Sequence, residues 1–395
     1  MGSFGDSIPV ERTSKQARPG KATVLAIGRA VPSNVVHQEG MAERYLRELN
    51  RHEEPGLLAK LERLCTNTTV KTRYTVITEE VVRNNPGLLV EGATTVRERL
   101  KISAEEVTKL GVEAAKKALA EWNRPVEDIT HLVYVSSSEV RLPGGDLFIA
   151  ANLGLRKTVS RLMLYMLGCC GGAAGIRVAR DLAENNPGSR VLLTTSDNCL
   201  IGYRAPHPDR PYDLVGAALF GDGAASMIIG ADPIPGKETP WFEFHQYIQT
   251  FIPGTEHTID GTLNESGIIF TLSRELPKVI ENNIEEFAKA LQGKLPKGLN
   301  YNDIFWAVHP GGPAILNAVE RKLELTPEKL VCSRQVLSDY GNINSNTIIY
   351  VLDYMRQASL KKRREQSTDP NPEWGFMLAF GPGITVEGMV ARNLV

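Results

Sequence analysis

The stretch "LYMLGCCGGAAGIRVARDLAENN", residues 164–186, holds the joint on which the fold is read. An apolar run ends in Gly168-Cys169-Cys170-Gly171-Gly172, and a helical pattern begins at once. Its apolar positions Ala174, Ile176, Val178, Ala179 and Leu182 give that helix a buried face. A strand that runs straight into such a helix is the repeating unit of an α/β fold. The joint also suits chemistry, because the free N–H groups and partial positive charge of a helix start favour a thiolate. Two small buried thiols are the commoner reading for cysteines at random. Placement at the strand-to-helix turn makes catalysis competitive for one of them. Gly171 and Gly172 are read as leaving room for a substrate beside the backbone.

Working outward, "KATVLAIGRAVPSN" reads as a buried strand broken by Gly28 and Pro32. "SAEEVTKLGVEAAKKALAEWN" reads as a helix capped by Ser103, with Glu106 three residues on. "ITHLVYVSSSE" and "SRVLLTTSD" are strands, and a strand pair is expected around "ALFGDGAASMIIGAD". From about residue 240 a similar order begins again. "VEAAKKALAEWNRPVEDITHLVYVSSS" is similar to "IEEFAKALQGKLPKGLNYNDIFWAVHPGG", and "LFGDGAASMIIG" to "AFGPGITVEGMV". A helix begins after Cys169 in the first half, and one is expected from about Asn342 in the second. The order argues for duplication. The division expected is a flexible arm over 1–20, a first half over 21–235 carrying the cysteine, and a second half over 236–395 carrying a histidine and an asparagine.

The 395 residues, 42% apolar and 23% charged with a formal net charge of −1, make an ordinary globular composition. That balance asks for neither nucleic acid nor an anionic membrane. The longest apolar runs fall short of the ~18 residues of a membrane span, and the first residues lack a secretory h-region. Five scattered cysteines show no paired spacing for disulfides or zinc. "WAVHPGGPAIL" puts His309 at a strand end, where an imidazole can pair with a thiolate or donate to a carbonyl. Alone it reads better as a loop histidine. Asn342, in "SDYGNINSN", alone reads as a helix cap. Cys, His and Asn at three matched strand ends form a stronger constellation than any one of them.

With these residues in place, "LVGAALFGDGAA", "HPGGPAIL", "LSDYGN" and "GFMLAFGPGITVE" resemble signatures of the plant type III polyketide synthases, the chalcone and stilbene synthase family, over nearly the whole chain. The resemblance implies an α/β thiolase-like fold: two pseudo-symmetric βαβαβαββ halves in a five-layer αβαβα arrangement. It also implies a homodimer and a catalytic Cys169, His309 and Asn342. Cys169 as a thiolate would take the starter acyl group from coenzyme A. His309 and Asn342 would donate to the malonyl-CoA carbonyl as carbon dioxide leaves. Phe220 and Phe270 match gatekeeper aromatics. Lys60 and Arg63 match basic residues for the coenzyme A tail, while Asn67 replaces a third and leaves its contact to Lys71 or Arg73. No cofactor is implied, since the CoA thioesters are substrates.

Cavity positions decide the starter. Ser137, Ser138, Cys199, Gly202, Gly216, Gly261, Leu272 and Asn344 match that lining. Cys199 and Gly202 stand where chalcone synthases carry Thr, so the wall opens and loses a polar contact. Leu142, in "VRLPGGD", stands where a Met reaches into the partner subunit. Gly202 with "YDLVGAALFGDGA" is most similar to the anther-specific chalcone-synthase-like branch. That implies long-chain fatty or hydroxy-fatty acyl-CoA starters and alkyl α-pyrones for sporopollenin, in the cytoplasm, with docking at the endoplasmic reticulum beside acyl-CoA or reductase enzymes left open. A phenylpropanoid-CoA synthase of chalcone, stilbene or stilbenecarboxylate type is the alternative, and a ketoacyl synthase III is a more distant one. Cys170 falls where relatives carry a bulkier residue, and it is read as wall or core.

Overall fold

The computed structural model describes residues 15–49, 51–207, 210–366 and 371–395. Most of the arm expected over 1–20 lies outside these residues. Its described end is tied down: the Lys15 N–H donates to the Leu394 carbonyl at 3.2 Å, and the Arg18 N–H to the Glu243 carboxylate.

Nine strands form the main sheet: β1 (Ala22–Ala30), β2 (His131–Ser136), β3 (Ser160–Tyr165), β4 (Val191–Asp197), β5 (Gly223–Ala231), β6 (Phe242–Phe251), β7 (Phe305–Val308), β8 (Trp374–Gly381) and β9 (Thr385–Asn393). Their order is β7-β8-β9-β6-β1-β5-β4-β2-β3. β2 runs parallel to β3 and β4, β7 runs parallel to β8, and the other pairings are antiparallel. The sequence halves meet at the β1–β6 junction through Thr23 and Glu243. About that junction β1, β5, β4 and β2 correspond to β6, β9, β8 and β7. Where β3 would recur, the chain forms the helix Val331–Tyr340 instead.

Alternating side chains show the layers. Val133 and Val135 of β2, with Phe305 and Ala307 of β7, face a central core around helices α2 (Gly171–Asn185) and α5 (Thr347–Arg364). Leu132 and Tyr134 face outward under helix α1 (Val96–Trp122). Trp306 and Val308 do the same under α3 (Leu276–Gln292) and α4 (Pro313–Lys322). The stack is helix, sheet, helix pair, sheet, helix: the thiolase-like α/β arrangement.

Four local expectations change. α1 starts at Val96, so Ser103 lies inside it, buried beside the Ser138 carbonyl and 2.8 Å from Asn198 Oδ1. β1 passes through Gly28 unbroken; a Cβ there would lie 2.1 Å from the Ala114 carbonyl oxygen, so glycine lets α1 rest on the strand. The region around "ALFGDGAASMIIGAD" is the end of a helix (Pro211–Leu219) followed by the single strand β5. Gly171 and Gly172 face packed protein rather than a substrate: a Cβ on Gly172 would lie 2.0 Å from the Ser345 carbonyl oxygen of the other half, and one on Gly171 3.0 Å from Val135 Cγ1.

Gly172→Ala is therefore expected to destabilise the fold by roughly 1–3 kcal/mol or more, because backbone on both sides must move. Gly202→Ala, whose Cβ meets nothing nearer than 3.7 Å, should unfold like the parent chain in denaturant.

Candidate active site

β3 ends in a turn where Met166 and Gly168 both take positive φ, 53° and 57°. A short 3-10 turn, Gly168–Cys170, leads into α2. The Gly168 N–H donates to Ser137 Oγ at 2.9 Å, which holds the turn against the end of β2. Cys169 then faces a cavity of about 1300 Å³, larger than the ~300–1,000 Å³ of an ordinary small-molecule site. Cys170 turns the other way. It is buried, its thiol donates to the Leu167 carbonyl at 3.2 Å, and it packs where a Cβ on Gly381 would lie 2.4 Å from its sulfur.

The second half brings two groups to the same cavity. Asn342 precedes a 3-10 turn (Asn344–Asn346) and α5, and it caps neither. Its Oδ1 accepts the Asn344 N–H at 2.9 Å, which aims Nδ2 at the Gly311 carbonyl (3.2 Å) and at Cys169 Sγ (3.6 Å). Asn344 Oδ1 lies 3.9 Å from the same sulfur. His309 follows β7, its N–H donating to the Leu378 carbonyl at 2.8 Å. Its ring is buried, and neither nitrogen has a hydrogen-bond partner among the described residues. Such an orphaned imidazole is a donor and acceptor held ready for a guest.

Burial sets the charges. It pushes the Cys169 thiol up to about 11, with Asp197 adding to the rise and the Asn342 hydrogen bond opposing it. It brings His309 down to about 3. Each group alone is thus neutral near pH 7, and a thiolate requires its proton to pass to a base in the same pocket.

The other expected positions divide. Ser137, Ser138, Cys199, Gly202, Gly216, Gly261, Leu272 and Asn344 all line the cavity. Phe220 and Phe270 meet there edge to face, with ring centroids 6.0 Å apart. Lys60 and Arg63 do not reach it; with Asn67 they share the exposed face of helix Pro55–Asn67, whose Leu61 and Cys65 pack against Leu214 and Ala218. Lys71 is exposed, whereas Arg73 is buried and points inward. Leu142 projects from its loop 98% exposed, outside the cavity of its own chain.

Two supporting residues escaped the sequence reading. Asp197, fully buried at the end of β4, accepts from the Ser137 N–H (2.7 Å), Ser138 Oγ (3.2 Å), the Ser345 N–H (3.2 Å) and the Ser345 hydroxyl. It thereby couples the Cys169 turn to the Asn342–Asn344 segment. Its signal in the sequence was its place at a strand end, like that of His309. Arg99, buried in α1, donates to the Leu200 and Leu88 carbonyls, each at 2.9 Å, and so fixes the wall that carries Cys199 and Gly202.

Residues 10–233 match the family described as chalcone and stilbene synthases, N-terminal domain, and residues 243–395 match the corresponding C-terminal domain. The chain is 56% identical to type III polyketide synthase B of Arabidopsis thaliana, each covered over 100% of its length. It is also 56% identical to type III polyketide synthase A of that plant, with 98% of this chain and 97% of the relative covered. Against type III polyketide synthase 21 of Oryza sativa subsp. japonica the identity is 53%, with 99% and 98% covered.

If His309 is the base for Cys169, His309→Gln should slow alkylation of that thiol by iodoacetamide at pH 7 by roughly tenfold or more. The variant's rate should then climb about tenfold per pH unit toward 11, since only hydroxide-driven ionisation remains. The alkylation rate from pH 5 to 10, with the site identified by mass, checks both points. Cys169→Ala should abolish chain extension, and Cys170→Ala should leave measurable turnover.

Proposed function

The chain belongs to the chalcone and stilbene synthase family and is a type III polyketide synthase, a condensing acyltransferase, and from that premise we propose that its starter is a long-chain fatty or hydroxy-fatty acyl-CoA. The observation that carries this is the wall at Gly202. A Cβ there would meet nothing nearer than the Ile268 carbonyl oxygen at 3.7 Å, and one at Gly216 only Phe220 Cδ2 at 3.9 Å. The backbone tolerates side chains at both places, so their absence enlarges the cavity. Ile201, Ile268 and Leu89 continue an apolar lining suited to an alkyl chain.

In this reading the acyl carbonyl passes from coenzyme A to Cys169 Sγ, with the thiol proton taken by His309. Malonyl-CoA then places its thioester oxygen against the unpartnered His309 ring and Asn342 Nδ2. The carboxylate leaves as carbon dioxide, and the electron pair moves onto an enolate oxygen that these donors hold. The enolate carbon attacks the acyl-enzyme, the C–S bond breaks, and Cys169 is freed for a further round. Lys60 and Arg63 would hold the solvated tail of coenzyme A, and no cofactor takes part. Closure of the tri- or tetraketide through oxygen would give alkyl α-pyrones of use in sporopollenin. The enzyme would act in the cytoplasm, where the acyl-CoA supply could also sit at the endoplasmic reticulum.

The working unit we infer is a homodimer. β3 is an edge strand, and Leu162 and Tyr165 on it are exposed beside Val140, Leu142, Leu147 and Phe148. An exposed apolar edge of this kind asks for a partner, and a second copy covers it symmetrically. Leu142 would then enter the other subunit's cavity.

Gly202→Thr is expected to lower kcat/KM for C16 and C18 starters roughly 10–100-fold while leaving C6 and C8 starters within about twofold. Malonyl incorporation across a starter panel that includes 4-coumaroyl-CoA reads this out. Equal losses at every length, or efficient chalcone formation without alkylpyrone, would overturn the reading. Leu162→Asp combined with Tyr165→Asp should convert the protein to monomers in sedimentation velocity.

A further inference from the structure

We propose that Arg73 is an anion site built into the cavity wall, donating through Nη2 to the enolate oxygen of the extended β-ketoacyl chain. The inference rests on the polyketide reading above and concerns what happens after the first condensation.

Arg73 sits on the short strand Thr72–Tyr74, 7% exposed, and lines the cavity beside Cys199 and Phe220. Its Nε donates to Gln38 Oε1 at 3.2 Å and its Nη1 to the Phe220 carbonyl at 2.8 Å. Gln38 is itself locked, its Nε2 donating to the Ala218 carbonyl (2.6 Å) and to Thr68 Oγ1 (3.2 Å). The stem of Arg73 lies against Gly341, where a Cβ would come within 3.0 Å of its Cγ. The guanidinium therefore has one orientation, tied to the segment that carries Asn342. Its Nη2 has no partner among the described residues and is not sealed from the cavity.

A buried guanidinium without a carboxylate in contact is costly and asks for a compensating anion. The near carboxylate, Asp222, is engaged by the Val76 N–H, the Cys199 N–H and Thr75 Oγ1, each within 3.0 Å. Burial accordingly presses the Arg73 pKa down, while Cys199 and Asp222 oppose that at longer range. The compensating anion would come with the substrate.

Three anions arise in such a reaction. The malonyl carboxylate is a poor choice, because a cation holding it stabilises the ground state from which charge must leave. The enolate formed on decarboxylation falls to His309 and Asn342. The third is the enolate of the 1,3-dicarbonyl unit made by condensation, whose anionic oxygen is a strong acceptor for the one guanidinium nitrogen left free. Holding it lowers the acidity threshold of the carbon between the carbonyls. After a second condensation, the oxygen on the fifth carbon, so ionised, can close a six-membered ring on the thioester carbon: a C–O bond forms, the C–S bond breaks, and the departing thiolate takes up the proton earlier released to water.

A 4-hydroxy-6-alkyl-2-pyrone, anionic at pH 8, serves as the probe, with its neutral 4-methoxy ether as control. The intact enzyme should bind the anion at least roughly tenfold more tightly than the ether by calorimetry. Arg73→Met should erase that preference, and Arg73→Lys should restore part of it. In turnover, Arg73→Met should yield roughly tenfold less pyrone per starter loaded on Cys169 than the parent. Equal binding of anion and ether by the unmodified enzyme, or an undiminished preference in Arg73→Met, would overturn the proposal. The first comparison needs no variant, so misfolding cannot obscure it. If long-chain starters fail while the anion preference persists, the starter reading falls and the Arg73 site stands.

Discussion

The approach of two helix starts, 2.0 Å between the Ser345 carbonyl oxygen and the place a Cβ on Gly172 would occupy, is the constraint on which the site depends. α2 and α5 lie side by side in the middle layer, between the two halves of the sheet. Residues just ahead of each helix are therefore forced together, whichever half they come from. Cys169 precedes α2 by one turn residue, and Asn342 and Asn344 precede α5 by a similar short turn. Asp197 adds polar links across the same seam, accepting from Ser137 and Ser138 of one half and Ser345 of the other. Any widening of the helix contact would separate a sulfur and an amide that now stand 3.6 Å apart.

The duplication was legible because strand and helix periods survive even where letters diverge. The continuous apolar runs of "HLVYVS" and "FWAV" match strands buried on both faces, and the central helix after Cys169 was equally plain. What misled were single polar or flexible residues judged by local habit. Ser103 has the makings of a cap, yet tertiary partners from Ser138 and Asn198 outweigh a free helix end there. Gly28 suggests a break only until the helix resting on it is known. Gly171 and Gly172 beside a thiol suggest a substrate, whereas Val135 and Ser345 take the space.

The site shows the same division. Cys169, His309, Asn342 and most wall residues were legible through family motifs, and the structure gathers them at one cavity. Asp197 was not, and Arg73 was read only as a candidate contact for the coenzyme A tail, because their importance lies in burial and in partners distant along the chain. An aspartate after a strand is ordinarily solvated, and an arginine beside Lys71 reads as a contact for a phosphate tail at the surface. Only three-dimensional packing shows Asp197 accepting four hydrogen bonds and Arg73 turned away from Lys71 toward the cavity.

Charge in this cavity follows from the same burial. Desolvation favours the neutral thiol and the neutral imidazole when each stands alone, so charge in the site depends on a proton passing within the pocket. In the reaction proposed, negative charge arises first on sulfur, then on the thioester oxygen, then on the growing chain. A permanent cation close to the thiol would stabilise the resting thiolate and blunt its nucleophilicity. A cation set behind the Phe220 and Asn342 segment, as Arg73 is, meets charge generated later. The placement of its single free N–H edge therefore matters more than the number of basic residues on the surface.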